Sequence, residues 1–229
     1  MTTESEVERR LYPNKLARMY LAAVEDVMGS NGVAAILRLA KLGDLVGNYP
    51  PDNFDCEFSF EDFSAVNQAI QEMYGPHGAR GLCLRAGRTT LRRAITDGGL
   101  MADLPGPAFR LLPVWARVKV GLATLAETLA RLSDQVSHVE EDGEKLAFVV
   151  EECPECWARS SDGPICFGNT GMLQEAVHWL SAGEEFSVIE TECMARGDYA
   201  CTFVISRELA EHAAEDLDAV QPADDPVGG

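Results

Sequence analysis

Positive charge is scarce in this chain: 19 Lys and Arg stand against 37 Asp and Glu, for a formal net charge of −18. So acidic a surface cannot neutralise a phosphate backbone, which excludes general nucleic-acid binding, and it repels anionic lipid. No apolar run approaches the roughly 20 residues that cross a bilayer, so no membrane insertion is expected. The opening MTTESEVERR has no apolar stretch of signal-peptide type, and a cytoplasmic location is expected. Gly75, Gly78 and Gly81 fit neither the dinucleotide fingerprint nor the P-loop, and no nicotinamide or flavin motif occurs elsewhere. Histidine is sparse as well: His77, His138, His178 and His212 stand singly, in no context that suggests haem.

What is present suits one soluble domain. The 229 residues are 46% hydrophobic and 24% charged, enough to bury a core. Residues 1–12 are polar and read as a flexible N-terminus. Leu16, Met19, Tyr20, Ala23, Val24 and Val27 recur at helical spacing over 14–28. Gly29-Ser30-Asn31-Gly32 breaks that helix, and 33–45 reads as a second. After Pro50-Pro51, a helix from Ser59 or Glu61 carries Phe63, Val66, Ile70 and Met73 on one face. Gly75-Pro76-His77-Gly78 predicts a turn, beyond which helical spacing resumes through Leu82, Leu84, Leu91 and Ile95, its small residues suited to close packing. Arg80, Arg85, Arg88, Arg92 and Arg93 are the densest basic group, read as a solvated face that balances nearby carboxylates. Residues 97–107 predict a loop, and 109–132 a long apolar helix or helix pair with a kink at Pro113.

The pattern changes at Gln135. Two β-type runs flank Glu141-Asp142-Gly143-Glu144, a hairpin signal. A short helix over 171–180 and strands over 186–193 and 201–206 follow. Helices first, then an antiparallel sheet with one inserted helix, is an α+β arrangement. The expected organisation is a single domain over 13–206, helical over 13–134 and cysteine-rich sheet over 135–206. Residues 207–229 read as an acidic helix and disordered tail.

Five of the seven cysteines fall between Cys153 and Cys201. In a reducing compartment such thiols are expected reduced or metal-bound rather than paired in disulfides. Strand alternation puts Glu190 on the apolar face shared with Phe186 and Val188, where an unpaired carboxylate is costly. A cation would resolve that, with Cys193 and Cys201 close by and Cys166 reaching across the sheet. Cys166, Glu190, Cys193 and Cys201 would make a closed four-coordinate zinc site of structural type. Cys153 and Cys156, spaced as C-x-x-C, are alternative ligands or a redox pair.

Glu190-Thr-Glu-Cys193, Ala195-Arg-Gly197-Asp198 and Cys201-Thr-Phe203, with Pro164-Ile-Cys166 and Gly171 upstream, resemble the 4-vinyl reductase (4VR) domain family. The resemblance covers 135–206 and, more loosely, 74–87. It implies a fold shared with transport-particle (TRAPP) subunits and haem-based nitric-oxide sensors: helices on an antiparallel sheet around an apolar cavity, commonly as a homodimer. It also implies zinc on Cys166, Glu190, Cys193 and Cys201, as in hydrocarbon-binding relatives that serve as input domains of aromatic-responsive activators. Trp157-Ala-Arg-Ser160 resembles a W-x-x-S element whose tryptophan helps hold the ligand there, although the run from Trp157 to Cys166 is much shorter here. No ATPase or DNA-binding segment follows, so a full-length activator is not expected.

The function expected first is a binding module, sensor or carrier, for a small hydrophobic or aromatic molecule, a tetrapyrrole among the candidates. Trp157, Phe109, Trp115 and Phe167 are the candidate pocket residues, with Trp179 beside them. The alternatives are an enzyme or accessory protein in (bacterio)chlorophyll vinyl-group reduction and a structural dimerisation scaffold.

Overall fold

The computed structural model describes residues 9–97 and 106–207. The first residues of the expected flexible N-terminus, most of the 97–107 loop, the acidic tail and His212 lie outside them.

Leu11–Pro13 forms strand β1, antiparallel to β2 at Cys56–Ser59, where a flexible segment had been expected. Side-chain burial accounts for the difference. Tyr12 is buried with its ring 5.4 Å from that of Phe63, and Leu11 N donates to Asp134 Oδ2 at 2.7 Å. Helix α1, Asn14–Leu39, breaks at Gly29 as expected: φ 76° there lies in the left-handed region that glycine tolerates. The helix resumes only as far as Leu39; a 3₁₀ turn at Gly43–Leu45 replaces the expected final turns.

Helix α2, Phe60–Thr96, starts at Ser59, whose Oγ accepts from Asp62 N at 3.1 Å. It breaks at Gly75 (φ 69°), and Pro76 suits the first position of the resumed helix. Helix α3, Gly106–Arg110, and α4, Val114–Leu132, flank Pro113, so the expected long segment is a helix pair.

Strands β3 (Ser137–Asp142), β4 (Lys145–Val150), β5 (Ser187–Glu192) and β6 (Cys201–Ser206) make an antiparallel sheet of order β3-β4-β6-β5. A two-residue turn at Gly143-Glu144, with φ 59° at the glycine, closes the β3–β4 hairpin. Helix α5, Phe167–Ser181, is inserted between β4 and β5 and starts four residues before the expected 171. The fold is α+β.

Helix α5 joins the two layers. Its Leu173 packs toward Phe148 and Phe203 of the sheet. Its other side meets α2 at very short range: a Cβ on Gly87 would stand 2.0 Å from Gly168 O, and one on Gly171 would stand 2.1 Å from Leu84 O. Close packing thus rests on Gly87 and Gly171, while a Cβ at Gly81 would meet open space. Of the basic cluster, Arg88 and Arg92 pair with Glu175 of α5, and Arg93 pairs with Asp26.

Candidate metal centre and apolar cleft

Cys153, Cys156, Cys166, Cys193 and Cys201 are all buried and converge at the junction of the 151–166 loop, the start of α5 and strands β5 and β6. The register explains the convergence. Val150 pairs with Cys201, so the chain leaving β4 enters the loop beside that sulfur. A bulge between Glu190 and Glu192 turns the end of β5 toward β6. The chain then returns through a 3₁₀ turn at Met194–Arg196, ended by Gly197 at φ 98°. Asp198 fixes this turn, accepting from Cys193 N and from Arg196 Nε at 2.8 Å each.

The sulfurs stand 3.7 Å apart for Cys153–Cys166, 3.4 Å for Cys156–Cys201, 3.7 Å for Cys166–Cys201 and 3.9 Å for Cys166–Cys193. A tetrahedral ion with bonds of about 2.3 Å to sulfur separates its ligands by about 3.8 Å. Two quartets keep every ligand atom within 4.8 Å of the others: Cys166, Glu190, Cys193 and Cys201, and also Cys153, Cys156, Cys166 and Cys201. The C-x-x-C thiols, set apart as alternatives on sequence grounds, share one cluster with the others.

Two amide groups point at this sulfur: Met194 N at Cys201 Sγ and Asn169 Nδ2 at Cys153 Sγ, both at 3.4 Å. Donors aimed at sulfur favour thiolate. Contacts with Cys156, Cys166 and Cys201 hold the Cys153 thiol well below its usual range. Burial and the surrounding thiols push Cys166 the other way. Packed this closely, the thiols cannot all ionise without a cation among them.

Two buried carboxylates complete the site. Glu190 accepts from Cys166 N through Oε2 at 2.8 Å, while its Oε1 is buried without a hydrogen-bond partner. Burial, reinforced by the nearby Cys193, raises its carboxyl to about 10. An orphaned buried oxygen beside converging thiols is chemistry that a divalent cation satisfies, so these residues fit a metal. Glu155, at the centre of Cys153-Pro-Glu-Cys156, is 1% exposed and accepts from Gly168 N and Asn169 N at 2.7 Å each. It caps α5 from outside the helix, because Cys166 at the N-cap provides no side-chain bond. Burial raises Glu155 to about 8 against the pull of those two N–H groups. Sequence reasoning missed this residue; a carboxylate inside C-x-x-C, just upstream of an uncapped glycine-containing helix start, was the available signal.

Beside the cluster, an apolar cleft lies between α4, α5 and the sheet, walled by Leu125, Leu129, Phe148, Met172, Leu173 and Phe203. Its free volume is about 10 Å³, near the minimum for one water. Gln135 and Asn169 are the polar side chains on its wall, and Gln135 Oε1 is buried without a partner. The aromatic residues proposed from sequence stand elsewhere. Trp157 donates to Glu61 at 2.9 Å and packs edge-on to Phe60. Trp115 packs against Phe186 under Arg207, Phe167 lies beneath Arg80, and Phe109 is buried on α3. Trp179 is exposed.

Residues 146–207, from β4 to the residue after β6, match the model of the 4-vinyl reductase (4VR) domain. This segment is a 4VR domain. The resemblance seen in the sequence therefore holds for the part of the sheet that carries the thiols. Around it the chain has the fold of H-NOX proteins. It superposes on a mutant of T. tengcongensis H-NOX with a TM-score of 0.55 at 10% identity, covering 86% of this chain and 97% of that one. An oxygen-binding H-NOX domain related to soluble guanylate cyclases gives 0.54 at 12% identity, with 86% and 95% covered. S. oneidensis H-NOX in the Fe(II)NO ligation state gives 0.51 at 12%, with 82% and 97% covered. Likeness at such identities is one of fold. No curated protein matches the sequence. Among the described residues, no helix is long and apolar enough to cross a membrane.

Proposed function

We propose that this 4VR-containing chain binds a small hydrophobic molecule carrying a hydrogen-bond donor, a phenol being the simplest case, as a sensor or carrier. The observation that carries this reading is Gln135: a buried, unpartnered acceptor on an otherwise apolar cleft wall. Such a wall suits a ligand with an apolar body and one donor, which would satisfy Oε1 and fill the space. The polar groups there are amides, which hydrogen-bond but do not exchange protons at neutral pH, and this supports binding over catalysis. The haem named for the H-NOX relatives is not carried over, since these walls offer an iron no histidine, cysteine or tyrosine. A tetrapyrrole would demand far more opening than a single aromatic ring.

Zinc, held by Cys166, Glu190, Cys193 and Cys201, is the proposed structural partner of the cleft. It would pin the start of α5 to β5 and β6, and Glu190 Oε1 would gain the partner it lacks. Homodimerisation, carried from the family resemblance, is checked by sedimentation of the full chain.

Native mass spectrometry of protein from its own host, followed by thermal-shift titration with phenol and methylphenols, tests the binding reading. A co-purified aromatic, or a Tm that rises with phenol concentration, is expected. The absence of both a bound small molecule and any phenol-dependent shift would refute it.

A further inference from the structure

We infer that the cluster holds two metal ions rather than one, bridged by the sulfurs of Cys166 and Cys201; the inference deepens the zinc reading above and rests on it. The two quartets of convergent donors are not rivals, because together they comprise six residues and overlap in one pair. Eight coordination positions, four for each of two tetrahedral ions, are filled by six donors when two of them bridge. Cys153 and Cys156 would be the terminal ligands of one ion, and Glu190 and Cys193 those of the other.

The distances suit this arrangement. The bridging pair, 3.7 Å apart, is the edge that the two tetrahedra share. Cys153 lies 3.7 Å from one bridging sulfur and Cys156 lies 3.4 Å from the other, so the C-x-x-C pair completes the first tetrahedron. Cys193, at 3.9 Å from Cys166, belongs to the second. A single ion on Cys166, Glu190, Cys193 and Cys201 would leave the buried Cys153 and Cys156 within contact of ligand sulfurs and without a task. The amide of Asn169 aimed at Cys153 Sγ treats that sulfur as an acceptor, which suits a ligand thiolate. Five thiolates and one carboxylate around two divalent ions carry the same net charge of about −2 as an ordinary four-thiolate zinc site, so the second ion adds donors without adding buried charge. Soft thiolates select zinc or a chemically similar divalent ion.

The test is metal stoichiometry on the full chain. Protein stripped with a chelator is titrated with zinc and counted by native mass spectrometry, and in parallel with cobalt, followed by thiolate-to-cobalt absorption and electron paramagnetic resonance. About two ions per wild-type chain are expected, with the cobalt resonance weakening as the second ion couples to the first. Cys153→Ser/Cys156→Ser is expected to retain about one ion, and so is Glu190→Gln/Cys193→Ser. One zinc per wild-type chain, with Cys153→Ser/Cys156→Ser unchanged in stoichiometry, would overturn the two-ion centre and leave the single-zinc clasp standing. No zinc at all would overturn both. Acid-labile sulfide and iron in the protein as isolated would also overturn it, since the bridges would then be inorganic.

Discussion

Gln135 Oε1 and Glu190 Oε1 are both buried acceptors without partners, and their surroundings assign them different tasks. Glu190 faces thiols, which a cation would unite with it; Gln135 faces apolar carbon, which only a ligand's donor would relieve. Leaving a buried acceptor unsatisfied costs about 1–3 kcal/mol. Gln135→Met removes that penalty while filling similar volume. The ligand-free protein should therefore melt higher, and its affinity for phenol should fall by roughly 3–10-fold, the loss of about one hydrogen bond. Thermal melts with and without phenol read both effects, and a lower melting point without phenol would count against the assignment. Glu155 makes the opposite case, because both its oxygens are occupied by N–H groups of α5. Glu155→Gln turns an NH₂ toward one of those donors, so a destabilisation of about 1–3 kcal/mol in urea is expected.

Helix α5 is the element on which both sites depend, and backbone contact holds it in place. Ala at Gly87 or Gly171 would place a methyl within 2.0–2.1 Å of a facing carbonyl oxygen, so the helices must separate. Overpacking of this kind costs about 1–3 kcal/mol; the corresponding change at Gly81, which meets open space, should be near neutral. Denaturant melts of Gly171→Ala and Gly81→Ala make the comparison directly. Electrostatics adds a second tie between the same helices. Burial opposes ionisation of Glu175, but hydrogen bonds from Arg92 and Arg88 outweigh it and hold the carboxyl below its usual range. A depressed carboxyl contributes stability above its unfolded value of about 4.3, and that contribution is lost as pH falls through the folded value. Wild-type stability should therefore drop on acidification below about pH 4.3, and Glu175→Gln should flatten that limb. Because Arg92 is largely exposed and can rehydrate, the loss at neutral pH should stay near 1 kcal/mol.

The strands β4 to β6 and the breaks at Gly29 and Gly75 were legible because alternation and positive-φ glycines are local signals. The true start of α5 was not, since Phe167-Gly-Asn-Thr carries no cap of its own and is held by Glu155 and Glu190, distant in sequence. The same reason hid the union of the two cysteine groups and the role of Gln135: each depends on what the fold brings alongside.

For the whole molecule, the thiol cluster and the cleft are too entangled to act independently. Cys201 and Phe203 lie on one face of β6, the first in the cluster and the second in the cleft wall. Asn169 lines the cleft and donates to Cys153 Sγ, while Cys166 begins the helix whose Met172 and Leu173 line the same wall. Metal that fixes Cys166 to Cys201 would fix the spacing of α5 from β6, and hence the width of the cleft. With free volume for little more than one water, a ring enters only if α4 or α5 moves. Any metal-dependent restraint on α5 must therefore appear in the binding free energy. Coupling of this kind is reciprocal: metal changes phenol affinity by the factor with which phenol changes metal affinity. A change of about 5–150-fold is the usual range for such linkage. The expected outcome is that chelation alters phenol binding measured by calorimetry, and that saturating phenol alters competition for zinc against a chromogenic chelator by the same factor. Equal phenol affinity in metal-loaded and metal-stripped protein, with circular dichroism showing both folded, would mean that the clasp and the cleft share residues but not energy.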